Sequence, residues 1–196
     1  MGAAFLYFST SILLLVQYIV PVRHISENPV APPADYVVFT FDTTNAPNLG
    51  DSGFLVFAYC QNSFEIRAAR LAHKQSGDPK VRATALAIKK DHDILGNTLQ
   101  LLLTKRGYGL PQPTDELRAK YKYLNGWMGL DFNTRYATGN AADANGDITF
   151  YTSFLQNTKD TELKNFASNA LTVLKADKDS VDRLIVYINT QPKTSW

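Results

Sequence analysis

The sequence predicts an all-α fold, an up-down antiparallel four-helix bundle, from three observations. From about Asp51 onward, apolar residues recur every three or four positions, which is the spacing of an amphipathic helix. Tight turn signals at 76–79 and at 159–160 join these stretches in pairs. The strand-like run at 36–42 has no partner run elsewhere in the sequence, and a single short strand does not make a sheet.

The first two long helices form the first predicted hairpin. The first helix runs from about Ser52 to Gln75, and the second spans Val81 to Leu103. The seam of the second helix is apolar except for His92 at its centre. Asp78 and Pro79 suit the start of that helix, because Asp caps free amides and Pro tolerates the first turn.

The second hairpin follows a long connection that contains a short helix, from Thr114 to about Tyr123. The third long helix is expected from about Asp131 to Asn157, and the fourth from Thr161 to about residue 191. Short turns make neighbouring helices antiparallel, so four such helices predict an antiparallel bundle. We assign this bundle to residues 51–191.

The first 50 residues precede the predicted bundle. Residues 3–20 are apolar and uncharged, and their length is near that needed to cross a bilayer. Residues 1–24 are therefore expected to be a signal peptide or an N-terminal membrane anchor, which indicates export to the periplasm or cell envelope. The proline-rich residues 25–50 are expected to be a linker.

Composition excludes some classes of function. The net charge of +2 is too small to indicate nucleic-acid binding, and the Lys and Arg residues look dispersed along the chain. The lone Cys60 cannot form an internal disulfide and is expected to be a buried packing residue. The sequence contains no nucleophile triad, phosphate-binding loop or nucleotide fingerprint.

Four ionisable residues, Glu65, His92, Asp143 and Asp177, lie on or beside helix seams where apolar residues are expected. We expect both hairpin turns at the same end of the bundle, which puts all four at a similar height. A buried charge is costly unless it is paired. One His and three carboxylates are thus expected to converge in one interior layer. His73 and Asp147 are expected at the surface, and Asp91 and Asp93 should point away from the face of His92.

Two interpretations of this layer remain open. In one, the layer binds a metal ion, since imidazole and carboxylate are ligands of iron, manganese and zinc. In the other, it is a structural hydrogen-bonded network. Di-iron bundles carry a Glu-x-x-His motif on each of two helices. Lys89 and Leu174 stand where that glutamate would precede His92 and Asp177, so only a mononuclear site is considered.

Several segments carry a resemblance to a known family: Asp78-Pro79-Lys80-Val81, Lys90-Asp91-His92, Leu110-Pro111, Asp131-Phe132 and Glu162-Leu163-Lys164. Together they resemble the bacterial ferritin-like domain family of unknown function labelled "predicted outer membrane protein". The resemblance covers about Phe54 to Leu184. It implies a ferritin-like four-helix fold and an exported, periplasmic or envelope protein, and it implies no settled activity.

The chain differs from this family at the residues that matter for a metal. Members usually carry an Asp-His pair on the third long helix and a His on the fourth. Here Asp143 is followed by Ala144, and Asp177 stands at the matching place on the fourth helix. Only His92 remains of three family histidines, so the resemblance implies an altered or lost site if those histidines bind metal.

These observations lead to three hypotheses about function. The first is a non-enzymatic, exported envelope protein with an unknown envelope partner, which acts by binding or in a stress-related structural role. The second is a metal-binding ferritin-like protein that uses Glu65, His92, Asp143 and Asp177 to hold one iron, manganese or zinc ion. The third, a redox enzyme, has the least support because both Glu-x-x-His motifs are missing. Membrane attachment, if the leader is not cleaved, is expected through residues 3–20.

Overall fold

The structure is a computed structural model that describes residues 50–191. The helices in this part of the chain are α1 (Gly50–Gln75), α2 (Pro79–Lys105), α3 (Asp115–Asn125), α4 (Gly129–Asn157) and α5 (Thr161–Thr190). These residues form no strand. The predicted leader, the strand-like run at 36–42 and all but the last residue of the predicted linker lie outside the described residues. Four long helices with a short one in the connection confirm the all-α prediction.

Side chains just before α2 and α5 fix where these helices begin. The Asp78 carboxylate accepts hydrogen bonds from the amides of Lys80 and Val81, at 2.6 and 3.1 Å. Asp160 accepts one from the amide of Leu163 at 3.0 Å. Each bond pairs an amide that the first helical turn leaves without a partner. The predicted cap at Asp78 is therefore confirmed.

The two hairpin turns lie at opposite ends of the bundle, so the expectation that they share one end is wrong. Thr158, in the α4–α5 turn, donates a hydrogen bond to Asp51 at the start of α1 (2.7 Å). Ser76, in the α1–α2 turn, donates one to Asn133 near the start of α4 (2.7 Å). We call the end with the α4–α5 turn the upper end, and the end with the α1–α2 turn the lower end.

The connection between α2 and α4 explains this arrangement. Residues 106–128 leave α2 at the upper end and reach α4 at the lower end, because α3 and the extended residues before it run along the bundle. As a result α2 and α4 run in the same direction, and the simple up-down order of the prediction is wrong. The packed neighbours α1–α2, α2–α5, α5–α4 and α4–α1 are all antiparallel.

The hydrophobic core consists of two clusters, one towards each end. In the upper cluster the ring of Phe54 stacks on Phe150 at 5.5 Å and meets Tyr151 edge-on at 5.0 Å. The lower cluster contains Phe132, Val81 and other residues near the α1–α2 turn, together with the buried Cys60. The predicted interior polar residues lie between the two clusters.

Candidate functional site

The four predicted ligands lie in one buried layer at the middle of the bundle. His92 and Asp143 are the central residues of α2 and α4, and Glu65 and Asp177 lie close to the centres of α1 and α5. The most exposed of them, Asp143, is only 9% exposed. A residue halfway along a helix is equally far from both ends, so reversing a hairpin leaves its height unchanged. The four therefore share a height although the predicted position of the turns was wrong.

The structure divides the four residues into two pairs. Nε2 of His92 lies 3.5 Å from Oδ2 of Asp177, while the carboxyl group of Glu65 is hydrogen-bonded to that of Asp143. Within residues 50–191, no hydrogen bond or ion pair joins one pair to the other. The layer therefore holds two neighbouring sites.

Asn62 of α1 fixes the orientation and the tautomer of His92. The Asn62 amide nitrogen donates to the backbone carbonyl of His92 at 3.0 Å, and the Asn62 Oδ1 lies 3.0 Å from the His92 Nδ1. A carbonyl only accepts, so the amide group cannot be turned around, and Oδ1 must accept from a protonated Nδ1. The lone pair of a neutral His92 ring is therefore on Nε2, which faces Asp177.

Gly96 makes room for this contact, one helical turn after His92. A Cβ atom at Gly96 would lie 2.6 Å from the amide nitrogen of Asn62, well inside van der Waals contact. Sequence reasoning missed Asn62, which lies beside the apolar seam of α1. Gly96 in the middle of a good helix was the available signal, because helical glycine is unfavourable unless another group approaches closely.

Burial keeps the His92–Asp177 pair neutral. It lowers the pKa of His92 to about 4, and the negative charge of Asp93 only partly opposes this. Burial also raises the pKa of Asp177 to about 7, with a further rise from the charge of Asp91 and a hydrogen bond to it. Asp91 was expected to point away from this face, and that expectation is wrong. Between these two pKa values the ring is uncharged and Asp177 carries a proton, which can point to Nε2.

The second pair is neutralised by a lysine from α3. The ammonium group of Lys120 forms a buried ion pair with Asp143 and lies 4.5 Å from the centre of the Phe64 ring. Asn140 donates a hydrogen bond to Glu65. Burial, and then the charge of Asp143, raises the pKa of Glu65 well above its usual range. Burial thus favours the protonated form of Glu65, and Lys120 is the cation paired with Asp143.

Comparison with known protein families assigns the chain to one family. A model of the family described as "Domain of unknown function (DUF4142)" matches residues 40–184. The chain belongs to this family. No curated protein and no solved structure matches it. None of the helices within residues 50–191 of this DUF4142 protein is long and apolar enough to span a membrane.

Asp147 of the DUF4142 domain lies beside the Glu65–Asp143 pair, although the sequence indicated a surface position. It is only 5% exposed. Burial and the charge of Asp143 raise the pKa of Asp147 to about 7, against the charge of Lys120 and a hydrogen bond from Gln61. The expectation was wrong because Asp147 lies one helical turn after Asp143 and so shares its inward face.

Tyr136 interacts electrostatically with a residue of each pair. It is 2% exposed, and its hydroxyl oxygen has no hydrogen-bond partner among the described residues. Burial raises the pKa of Tyr136 well above its usual range, with further contributions from the charges of Glu65 and Asp177. The phenol therefore stays protonated and lies within electrostatic reach of one carboxyl group from each pair. It was predicted only as an apolar seam residue.

The fit of this layer to a metal ion differs between the two pairs. His92 presents an unprotonated Nε2 and Asp177 an oxygen without a hydrogen-bond partner among residues 50–191, which are suitable donor atoms. Asp143 already contacts the Lys120 ammonium group, so a cation occupies the place where a metal would bind. Among the described residues, no group of three or more His, Cys, Asp or Glu side chains could hold a metal ion.

Proposed function

We propose that this DUF4142 protein is an exported, non-enzymatic helical-bundle protein of the bacterial cell envelope, which acts by binding a partner or in a stress-related structural role. The observation that supports this most is the pairing of the interior charges within the bundle itself. Lys120 pairs with Asp143, and burial disfavours the charged forms of Glu65 and His92. A structural polar layer needs this internal balance, because an unpaired buried charge is costly.

The chain topology supports the proposed ferritin-like relationship. Ferritin-like bundles are two helical hairpins joined by one long crossover. Here α1–α2 and α4–α5 are the hairpins, and residues 106–128 are the crossover. Export to the periplasm or envelope is supported by the apolar sequence of residues 3–20, and the resemblance to envelope proteins points the same way.

A second candidate, a mononuclear metal-binding protein, is supported by one specific observation. The Nε2 lone pair of His92 faces a carboxyl oxygen of Asp177 that lacks a hydrogen-bond partner among the described residues, and Asp91 lies next to that carboxyl group. His92, Asp177 and Asp91 would hold an iron, manganese or zinc ion. That Glu65 and Asp143 also bind this ion stays a prediction. A bound ion would supply a Lewis-acidic or redox-active centre.

Metal content separates the two candidates. The purified protein, its His92→Ala variant and a His73→Ala control would be assayed by mass spectrometry after reconstitution with iron, manganese or zinc. His73 is exposed on the same bundle, so it reports histidine-dependent surface binding. We expect no stoichiometric metal in any of the three proteins. About one ion per chain that is lost only in His92→Ala would overturn the structural role of the polar layer in favour of the metal site.

A further inference from the structure

The α1–α2 hairpin forms a basic surface at the lower end of the bundle, where Asp131 at the start of α4 is an exposed acidic residue. Residues 66–90 carry seven Lys or Arg residues and a single acidic residue, Asp78, whereas the entire chain carries 20 basic and 18 acidic residues. Asp78 is fully buried as the cap of α2. The basic residues looked dispersed in the sequence, but four of these seven, Arg70, Lys74, Lys80 and Arg82, lie towards the α1–α2 turn, and the other three lie near the central layer.

The basic side chains of Arg70, Lys74 and Arg82 at this end are exposed, and no acidic residue within 50–191 neutralises them. Arg70 and Lys74 lie one turn apart on α1, and Arg82 lies at the start of α2, where its carbonyl oxygen is 3.2 Å from Nδ1 of His73. None of these three cations forms an ion pair with any residue in the 50–191 range. Their positive potential is therefore available to a partner.

Exposed apolar side chains lie at the same end. Met128 is 79% exposed, and the carbonyl of its neighbour Trp127 accepts a hydrogen bond from Gln75 at the end of α1. Val186 is 65% exposed, and the ring of its neighbour Tyr187 lies 4.2 Å from Nζ of Lys80. Exposed apolar side chains thus lie beside the basic surface, one from the residue before α4 and one from α5.

We infer that the lower end of the bundle, centred on Arg70, Lys74 and Arg82 with Met128 and Val186 beside them, is a docking surface for an anionic lipid membrane. Lys and Arg side chains attract anionic headgroups, and neighbouring apolar side chains can enter the interface below them. A soluble polyanion would use the cations but not the exposed apolar groups, which is why the combination favours a lipid surface.

This contact differs from attachment through residues 3–20. The described chain begins at the upper end with Gly50, and the basic surface lies at the other end of α1. The length of this helix separates the two by ~40 Å. An anionic membrane would be the partner in the proposed binding role. The docking surface contains no interior residue, so an absence of membrane binding would leave the metal-content experiment and the structural role of the polar layer unaffected.

Vesicle co-sedimentation of the full chain tests the inference. One set of vesicles is pure phosphatidylcholine, and the other is an equal mixture of phosphatidylcholine and phosphatidylglycerol. The lower-end variant is Arg70→Glu/Lys74→Glu/Arg82→Glu. The matched control is Lys159→Glu/Lys164→Glu/Lys175→Glu, which changes the net charge equally at exposed positions elsewhere. All proteins keep residues 1–49, so attachment through that segment is common to them.

We expect the native chain to prefer the anionic vesicles, with a preference that weakens as salt is added. Each basic residue near an anionic surface strengthens binding about fivefold. The lower-end variant should therefore lose on the order of 100-fold in partitioning, while the control variant retains most of it. Met128→Ser should weaken vesicle binding without changing the salt dependence.

Three outcomes would overturn the inference. The first is equal binding to neutral and anionic vesicles, and the second is an equal loss in both triple variants. The third combines two results: a soluble polyanion such as heparin or DNA displaces the protein fully from vesicles, and Met128→Ser has no effect on vesicle binding. Together they would assign the surface to soluble polyanions. Circular dichroism of each variant would show that it is folded.

Discussion

The side chain of Asn62 contacts His92 at both its ring and its backbone. The amide nitrogen donates to the His92 carbonyl and the amide oxygen lies beside Nδ1, each at 3.0 Å. One residue of α1 thereby sets which nitrogen of a buried imidazole in α2 carries the proton. Because Nε2 then faces Asp177 of α5, this contact links three helices in the middle of the bundle.

Removing both partners of this contact should destabilise the protein by less than the sum of the two single removals. His92→Leu leaves the Asn62 oxygen buried without a donor, and Asn62→Leu leaves Nδ1 without an acceptor. Each single change should lower the free energy of unfolding by about 1–3 kcal/mol. The double variant should lose clearly less than the sum, as measured by urea denaturation. Strictly additive losses would show that the hydrogen bonds contribute nothing to stability.

Glycine substitutions should have opposite effects at two helical positions. Alanine normally stabilises a helix by ~1 kcal/mol relative to glycine. Gly139→Ala, in α4, should show this gain because no atom lies within 4 Å of the added Cβ. Gly96→Ala should instead destabilise the protein, because its Cβ would displace the Asn62 amide group. Thermal unfolding of both variants provides the measurement, and a stabilised Gly96→Ala protein would contradict the role given to Asn62.

Lys120 should be essential for holding α3 against the bundle. Lys120→Met leaves the buried Asp143 carboxylate without its cation, and breaking a buried ion pair costs about 3–5 kcal/mol. Amide hydrogen exchange in α3 should accelerate in the same variant. Lys122→Met, an exposed change on the same helix, is the control.

A second substitution distinguishes the ion pair from simple packing. In Lys120→Met/Asp143→Leu no buried charge is left, so most of the lost stability should return. Losses in Lys120→Met no larger than those in Lys122→Met would rule out the proposed anchoring of α3.

The buried Asp147 should make stability depend on pH. Its pKa in the folded protein, about 7, lies above the ordinary value of 3.8, so the folded state binds the proton more tightly. This contribution to stability is complete below pH ~4 and is lost as the pH rises through ~7. We therefore expect the free energy of unfolding of Asp147→Asn to equal that of the native protein near pH 4, apart from a pH-independent offset due to the side-chain change. At pH 8 the variant should be more stable.

The difference between the two proteins isolates Asp147 from the other groups. Asp177, with a pKa also raised to about 7, adds a loss of stability over the same range, whereas the lowered pKa of His92 gives an opposing gain. Both contributions are common to the two proteins. A folded-state pKa one unit from its unfolded value is worth ~1.4 kcal/mol, so the gain at pH 8 should exceed ~1 kcal/mol. Asp179→Asn, at an exposed position, should show no such pH dependence.

The candidate site was predictable only in part. Periodicity placed His92 and Asp143 on helix seams, and a seam position is buried wherever its helix packs. The partners of these residues did not follow from the same pattern. Asn62 and Lys120 lie beside the seams, and Lys120 belongs to a short helix whose docking position no periodicity specifies. Whether the layer binds a metal stays a prediction.

The sequence by itself determined the helices, the cap at Asp78 and the apolar seams that face inward, because these depend on neighbours within a few positions along the chain. Only the tertiary structure decided that α2 and α4 run in the same direction and that the four interior residues form two pairs. These features depend on the path of residues 106–128. A connection long enough to span the bundle allows the next helix to start at either end. The packing of the two hairpins therefore decides the direction of α4.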